Sequence, residues 1–270
     1  MAKAFVIGAP IAHSRSPLIH GHWLKTLGIE GSYEAVHVEP DDLPAFIRHN
    51  DFDGGNVTLP HKEQIKPLLD RLTTTAQRVG AVNTVWREGD RLVGDNTDGA
   101  GFIANLDATE PGWRDAPGNA LVLGAGGAAR AVVDALARAG FAITIANRTM
   151  ARAEALAMEL AENAMITSLL QAPLERADLV VNTTSIGMDG SMLPFDIKAL
   201  RPDALVTDIV YTPLETPLLK AARTRGCRTV DGLGMLLHQA VPGFERWFGE
   251  RPEVTAELRD IILADLGASA

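Results

Sequence analysis

The side chains with the most chemistry to offer fall in four short polar clusters: Ser14-Arg15-Ser16-Pro17, Asn56-Val57-Thr58-Leu59-Pro60-His61-Lys62, Ala81-Val82-Asn83-Thr84 and Asp95-Asn96-Thr97-Asp98-Gly99. Hydroxyls and amides dominate them, the groups needed to hydrogen-bond a polyhydroxylated molecule. The patterning puts each cluster where a strand ends or a helix begins, which is where open α/β sheets hold their ligands. Each also has an ordinary local role: Ser16 before Pro17 makes a good helix N-cap, Asn83 can hold a turn and Asp98 can cap a helix. Those roles leave Lys62 unexplained, a lone ammonium at the end of its polar cluster. Partial burial would lower its pKa toward the range of a proton donor and acceptor, whereas a carboxylate beside it would raise that pKa.

A second chemical signature runs from Asn119 to Arg130, where a short apolar stretch stops at Gly124-Ala125-Gly126-Gly127-Ala128-Ala129. Gly124, Gly126 and Ala129 fit the G-x-G-x-x-G/A dinucleotide fingerprint. The first permits a tight turn, the second lets a pyrophosphate approach the backbone, and the third lets the helix pack on its strand. The free N–H groups that open the helix then face the anion. Val132, Val133 and Leu136 give that helix an apolar face, Gly140 ends it, and 141–146 reads as the next strand, so the βαβ context is present. About 20 residues after the glycines, an NAD enzyme carries an acid for the ribose 2′-OH. Here the chain reads Asn147-Arg148-Thr149. Arg148 can pair with a 2′-phosphate and its neighbours can donate further bonds, which points to NADP, while Thr149 can also cap the helix that follows.

These residues need elements to hold them. Over the first hundred residues strand and helix alternate: strands at 4–7, 33–38 and 55–58, helices at 17–27, 42–49 and 62–69, and a hairpin of 81–86 with 91–94 around Glu88-Gly89-Asp90. This predicts an α/β domain with a mostly parallel sheet. The stretch 106–118, with Pro111, Gly112, Pro117 and Gly118, reads as a connection to a nucleotide domain that continues through strands at 179–182, 204–210 and 228–230. Helices at 235–247 and 254–266 have no strand partners of their own. The expected organisation is a substrate-binding and catalytic domain of residues 1–106, completed by 235–270, a Rossmann-type domain of 107–234 with a parallel sheet, and a cleft between them.

Composition narrows the classes. A formal net charge of −9 without any basic run argues against a nucleic-acid surface, and no apolar segment has membrane-spanning length. The N-terminus enters a strand almost at once and lacks the apolar core of a signal peptide, so a cytoplasmic protein is expected. Cys227 stands alone, which excludes an internal disulfide and a cysteine metal cluster; it opens an apolar run and reads as a small buried side chain. The histidines show no ligand spacing with carboxylates, so no metal site is expected, and His13, His20, His22 and His61 read as capping or packing residues.

Eight ordered motifs together resemble the shikimate/quinate dehydrogenase family. They are the four clusters above, the 124–130 turn, Asn147-Arg148-Thr149, Asn182-Thr183-Thr184-Ser185-Ile186-Gly187-Met188 and Gly232-Leu233-Gly234-Met235-Leu236-Leu237-His238-Gln239-Ala240. The resemblance implies an NADP-dependent oxidoreductase of aromatic amino-acid and chorismate biosynthesis that interconverts 3-dehydroshikimate and shikimate, with Lys62 and Asp98 as the catalytic pair. It implies substrate contacts from Ser14, Ser16, Asn56, Thr58, Asn83, Tyr211 and Gln239. Cofactor contacts would come from Gly124, Ala125, Gly126, Gly127, Ala128, Asn147, Arg148, Thr149, Thr183, Ile209, Gly232 and Met235. It also leaves room for a homodimer. Three alternatives stay open: a broader quinate/shikimate enzyme, a related NADP dehydrogenase acting on another carbonyl or imine, and a non-catalytic nucleotide sensor. Intact Lys62 and Asp98 argue against the sensor.

Overall fold

The computed structural model describes residues 1–192 and 194–267, so the last three residues of the expected 235–270 segment lie outside it. The chain divides into two units, Met1–Thr97 with Leu237–Ala270, and Asp98–Leu236.

In the first unit six strands form one sheet: β1 (Ala2–Gly8), β2 (Gly31–His37), β3 (Gly54–Val57), β4 (Arg71–Leu72), β5 (Thr84–Glu88) and β6 (Arg91–Asp95), in the order β2-β1-β3-β5-β6-β4. Strand β1 pairs in parallel with β2 and β3, and β4 with β6, but β3–β5 and β5–β6 are antiparallel. The sheet is therefore mixed: the 88–90 hairpin sets β6 against β5, and β5 itself runs against β3. Period-two alternation sorts its side chains. Phe5, Ile7 and Val85 join Leu43, Ile47 and Ile65 on one face, while Ala4, Trp86 and Val93 meet Trp247 on the other. Helices α1 (Ser16–Leu27), α2 (Leu43–His49), α3 (His61–Gln64) and α4 (Thr74–Val79) complete the N-terminal part. The helix expected over 62–69 is only α3 followed by a 3₁₀ turn at Lys66–Leu68, because Pro67 cannot continue an α-helix.

The second unit is a six-stranded, all-parallel sheet. Its strands are β7 (Asn119–Leu123), β8 (Ala142–Asn147), β9 (Met165–Ser168), β10 (Leu179–Asn182), β11 (Leu205–Asp208) and β12 (Arg228–Val230), in the order β12-β11-β10-β7-β8-β9. This is the doubly wound order of dinucleotide-binding sheets, and the strand order reverses between β7 and β10. Helices α5 (Asp98–Thr109), α6 (Gly127–Arg138), α7 (Met150–Leu160) and α8 (Pro217–Thr224) belong to it. Phe102 and Leu106 of α5 share a core with Val132, Val133 and Leu136 of α6. That burial draws α5 into the second unit, so the division falls before Asp98 and not after Leu106. Strands β4 and β9 were not expected; β4 has only two residues, and β9 is an edge strand with an exposed Met165.

The last two helices, α9 (Leu233–Phe248) and α10 (Ala256–Asp265), return to the first unit from Leu237 onward. The Trp247 indole donates to Val85 O at 2.9 Å, and Trp23 of α1 donates to Glu253 O at 2.9 Å. No helix among the described residues is long and apolar enough to cross a membrane.

Candidate functional site

In the first unit the polar clusters converge on a hydrogen-bonded platform at the ends of β3 and β5. Asn56, the penultimate residue of β3, is buried. Its Nδ2 donates to Asn83 O at 3.1 Å and to Thr84 Oγ1 at 3.3 Å, and its Oδ1 accepts the Tyr33 hydroxyl at 2.6 Å. Burial pushes the Tyr33 phenol well above its ordinary pKa, with the Ser16 hydroxyl opposing in smaller measure, so the phenol keeps its proton to donate. Asn83 links onward: its Nδ2 donates to Thr97 Oγ1 at 3.0 Å and Gln239 Oε1 at 3.3 Å, and its Oδ1 accepts the Thr97 amide at 2.9 Å. Thr97 Oγ1 in turn donates to Gln239 O at 2.8 Å, which ties α9 to the cluster.

Around this platform the chain holds Ser14, Thr58 and Lys62. The Ser16 amide donates to Ser14 Oγ at 3.3 Å. Ser16 is thus the first residue of α1 and makes no side-chain cap bond, and Ser14 supplies the oxygen. Thr58 N donates to Ile7 O at 2.9 Å and His61 N to Thr58 O at 2.9 Å, while the buried His61 ring sits 2.7 Å from Val38 O. That pinned turn presents Lys62, whose carbonyl accepts the Val82 amide at 2.7 Å and whose side chain is half-buried. His20 and His61 pack in the interior, as the sequence suggested.

The second unit presents the other half of the expected residues. Gly124 ends β7 at φ +110°, where a Cβ would lie 2.7 Å from Thr183 Oγ1, so only glycine fits. Gly126 takes the N-cap position of α6 without a side-chain cap, and at Gly126 and Gly127 a Cβ would meet open space. The first N–H groups of α6 therefore face a gap that an anion can fill. At the end of β8, Asn147 Nδ2 donates to Thr149 O at 2.8 Å. Arg148 is exposed, and Thr149 holds the N-cap position of α7 but makes no cap bond with its hydroxyl. At the end of β10, Thr183 donates both its amide and its hydroxyl to Leu123 O, at 2.8 and 2.7 Å. Ile209 and Tyr211 follow β11, and Gly232 is jammed against Ile209 O and Asp208 O where a Cβ would clash. Met235 lies on the first turn of α9, and Asp98 is the first residue of α5.

With that geometry in place, likeness to known proteins becomes decisive. Residues 6–85 match the shikimate dehydrogenase substrate binding domain, 114–188 the shikimate/quinate 5-dehydrogenase family and 232–256 the shikimate 5′-dehydrogenase C-terminal domain. A shikimate dehydrogenase (NADP(+)) of Mesorhizobium japonicum is 57% identical over 98% of this chain and 96% of its own. The chain belongs to the shikimate dehydrogenase family. Among solved structures, a Thermus thermophilus shikimate 5-dehydrogenase in complex with NADP(H) and shikimate is 40% identical, with a TM-score of 0.86 over 98% of this chain and 100% of that one. A quinate dehydrogenase of Corynebacterium glutamicum in complex with NAD is 32% identical, with a TM-score of 0.88 over 97% and 99%. Members of this family thus share the α/β scaffold seen here, with a substrate-binding unit and a Rossmann-type unit.

Three further side chains, the buried Thr97 and Asp208 and the half-buried Tyr33, escaped the sequence reading as site residues. Tyr33 fixes the Asn56 amide, Thr97 bridges Asn83 to Gln239, and Asp208 at the end of β11 accepts three hydrogen bonds. Two of them carried a signal: Thr97 lies inside the 95–99 polar cluster, and Asp208 is a carboxylate closing the strand Leu205-Val206-Thr207 at the carboxyl end of a parallel sheet. Burial raises its pKa, and its donors from Thr216, Asn182 and Val210 oppose that rise. Cys227 is buried, its Sγ lies 3.2 Å from Arg201 O, and burial pushes its thiol up, which suits packing and not nucleophilic chemistry.

Proposed function

We propose that the protein catalyses the reversible NADPH-dependent reduction of 3-dehydroshikimate to shikimate, an oxidoreductase step of chorismate and aromatic amino-acid biosynthesis. The observation that carries this is the joining of Tyr33, Asn56, Asn83 and Gln239 into one hydrogen-bonded platform, in a chain of the shikimate dehydrogenase family. A sheet end so rich in fixed hydroxyls and amides suits a ring bearing several hydroxyls and a carboxylate. Ser14 and Ser16, at the start of α1, take the carboxylate, while Asn56, Thr58, Asn83, Tyr211 and Gln239 take the ring hydroxyls.

The second unit fits the cofactor. The uncapped start of α6 at Gly127 and the left-handed Gly124 are what a pyrophosphate requires, and Arg148 with Asn147 and Thr149 would meet the 2′-phosphate. Thr183, Ile209, Gly232 and Met235 would hold the remainder. When bound, NADPH supplies the hydride. A ketone that gains hydride at carbon must gain a proton at oxygen, and Lys62 donates it, then takes it back in the reverse direction. Asp98 orients the ammonium and holds the substrate hydroxyl. The Ser, Thr and Asn groups are poor acids and serve recognition only.

The same reading places the enzyme in the cytoplasm as a protein that acts on small molecules and needs neither nucleic acid nor membrane, in keeping with its net charge of −9. Mixing it with NADP⁺ and shikimate, then with quinate, while following nicotinamide absorbance, tests the proposal. Turnover of shikimate in preference to quinate is expected. Equal or better use of quinate favours the broader quinate/shikimate enzyme, and turnover of neither overturns the assignment. Light scattering after gel filtration reads whether a homodimer forms.

A further inference from the structure

Asp208 is fully buried at the carboxyl end of β11, register partner of Asn182 on β10. Its Oδ1 accepts Asn182 Nδ2 at 2.9 Å and Val210 N at 3.0 Å, and its Oδ2 accepts the Thr216 hydroxyl at 2.8 Å. All three partners are neutral donors. Burying a carboxylate among neutral groups carries a desolvation cost that an asparagine here would have avoided. A local consequence distinguishes the two. A carboxylate only accepts, so it forces the nitrogen of the Asn182 amide to face it and the oxygen to face away.

That orientation sets the following turn. Asn182 Oδ1 accepts Thr184 N at 3.1 Å and Thr184 Oγ1 at 2.7 Å, and Asn182 Nδ2 also donates to Ile186 O at 3.1 Å. Thr184 Oγ1 accepts Ile186 N at 3.1 Å. Thr183, between them, is bonded twice to Leu123 O, beside the Gly124 turn. The 183–188 segment thus leaves the sheet beside the switch point between β7 and β10, on the side of β10, β11 and β12. In doubly wound sheets a dinucleotide straddles that point, one mononucleotide on each half. Arg148, which selects the adenosine 2′-phosphate, lies on the β8 side, so the β10 side takes the nicotinamide half.

We propose that Asp208 is a positioning residue for the nicotinamide half of NADP(H), acting through the Asn182 amide on the 183–188 turn. This rests on the cofactor reading given above. The chain of action is a fixed one: the carboxylate orients Asn182, Asn182 orders the 184–186 backbone, and the ordered turn presents Thr183 and its neighbours to the cofactor. An asparagine at 208 presents a donor edge as well as an acceptor, so the Asn182 amide loses its single preferred orientation and the turn loosens.

The test compares Asp208→Asn with the parent enzyme for NADP⁺ and for adenosine 2′,5′-bisphosphate, which carries the adenosine half alone. The variant is expected to raise KM for NADP⁺ about tenfold while the inhibition constant of the bisphosphate changes less than about twofold. Thr184→Val, which leaves the buried carboxylate in place and removes only the last link, is expected to show the same split to a smaller degree, and it serves if Asp208→Asn does not fold. Equal weakening of both ligands, or an unchanged KM with only a lower melting temperature, overturns the proposal and makes Asp208 a purely structural residue. A parent enzyme that binds neither ligand overturns the cofactor reading itself and the proposal with it; a parent that binds both, with variants that match it, overturns the proposal alone.

Discussion

Replacing His20 should change how the protein responds to acid, and the size of the change can be worked out. The ring has no exposed surface and stacks on Tyr33 at 4.0 Å, with Trp23, Phe244 and Trp247 at 5.5, 5.9 and 5.4 Å. Neither ring nitrogen has a well-formed hydrogen bond. Burial lowers the pKa from 6.5 to about 3, and the nearby Asn56 amide offsets a small part of the shift. The folded state therefore keeps His20 neutral, whereas the unfolded chain takes up a proton below pH 6.5. Between about pH 6.5 and pH 3 the unfolded state holds one proton more, so stability rises with pH and is lost as pH falls. The slope is about 1.4 kcal/mol per pH unit, which makes about 2 kcal/mol by pH 5 and about 5 kcal/mol over the whole window. Urea unfolding of the parent and of His20→Gln at about pH 7 and about pH 5 isolates this contribution. The pH 7 comparison gives the fixed cost of the substitution, and the variant should then lose about 2 kcal/mol less than the parent on moving to pH 5. An identical acid loss in both proteins would refute the argument, since it would mean that His20 carries no differential protonation.

Three further outcomes follow from the site. Lys62→Met should lower kcat about 10²- to 10⁴-fold with a smaller change in KM, and Lys62→Arg should not restore it because a guanidinium does not release its proton; a raised KM with kcat intact would make Lys62 a binding group. Arg148→Ala should raise KM for NADPH about 10- to 100-fold and leave NADH almost unaffected, measured as the ratio of kcat/KM for the two cofactors. Ser14→Ala should raise KM for shikimate by about tenfold while KM for NADP⁺ stays constant, and an unchanged KM in the Ser14→Ala/Ser16→Ala double variant would remove the carboxylate from this place.

Much of this molecule was legible in its sequence because the signals are local. The β7 turn follows from Gly124 and its apolar approach, since a left-handed residue crowded by a neighbour leaves only glycine. The parallel second sheet follows from apolar runs alternating with helical periods, and the burial of Cys227 from the apolar run it opens. Membership of the shikimate dehydrogenase family rests on motifs whose residues sit in short, contiguous stretches. What tertiary structure decided is non-local. Helix α5 reads equally well with either unit, and only the burial of Phe102 and Leu106 against α6 assigns it. Strand β9 has too little apolar content to announce itself and exists because β8 offers it an edge. Tyr33 and Asn56 are 23 residues apart, and Asp208 and Asn182 are 26 apart. No period or spacing connects such pairs: Asp208 and Asn182 are register partners on adjacent parallel strands, Tyr33 reaches Asn56 across the intervening strand β1, and the cost of burying an unpaired polar group then demands that they bond.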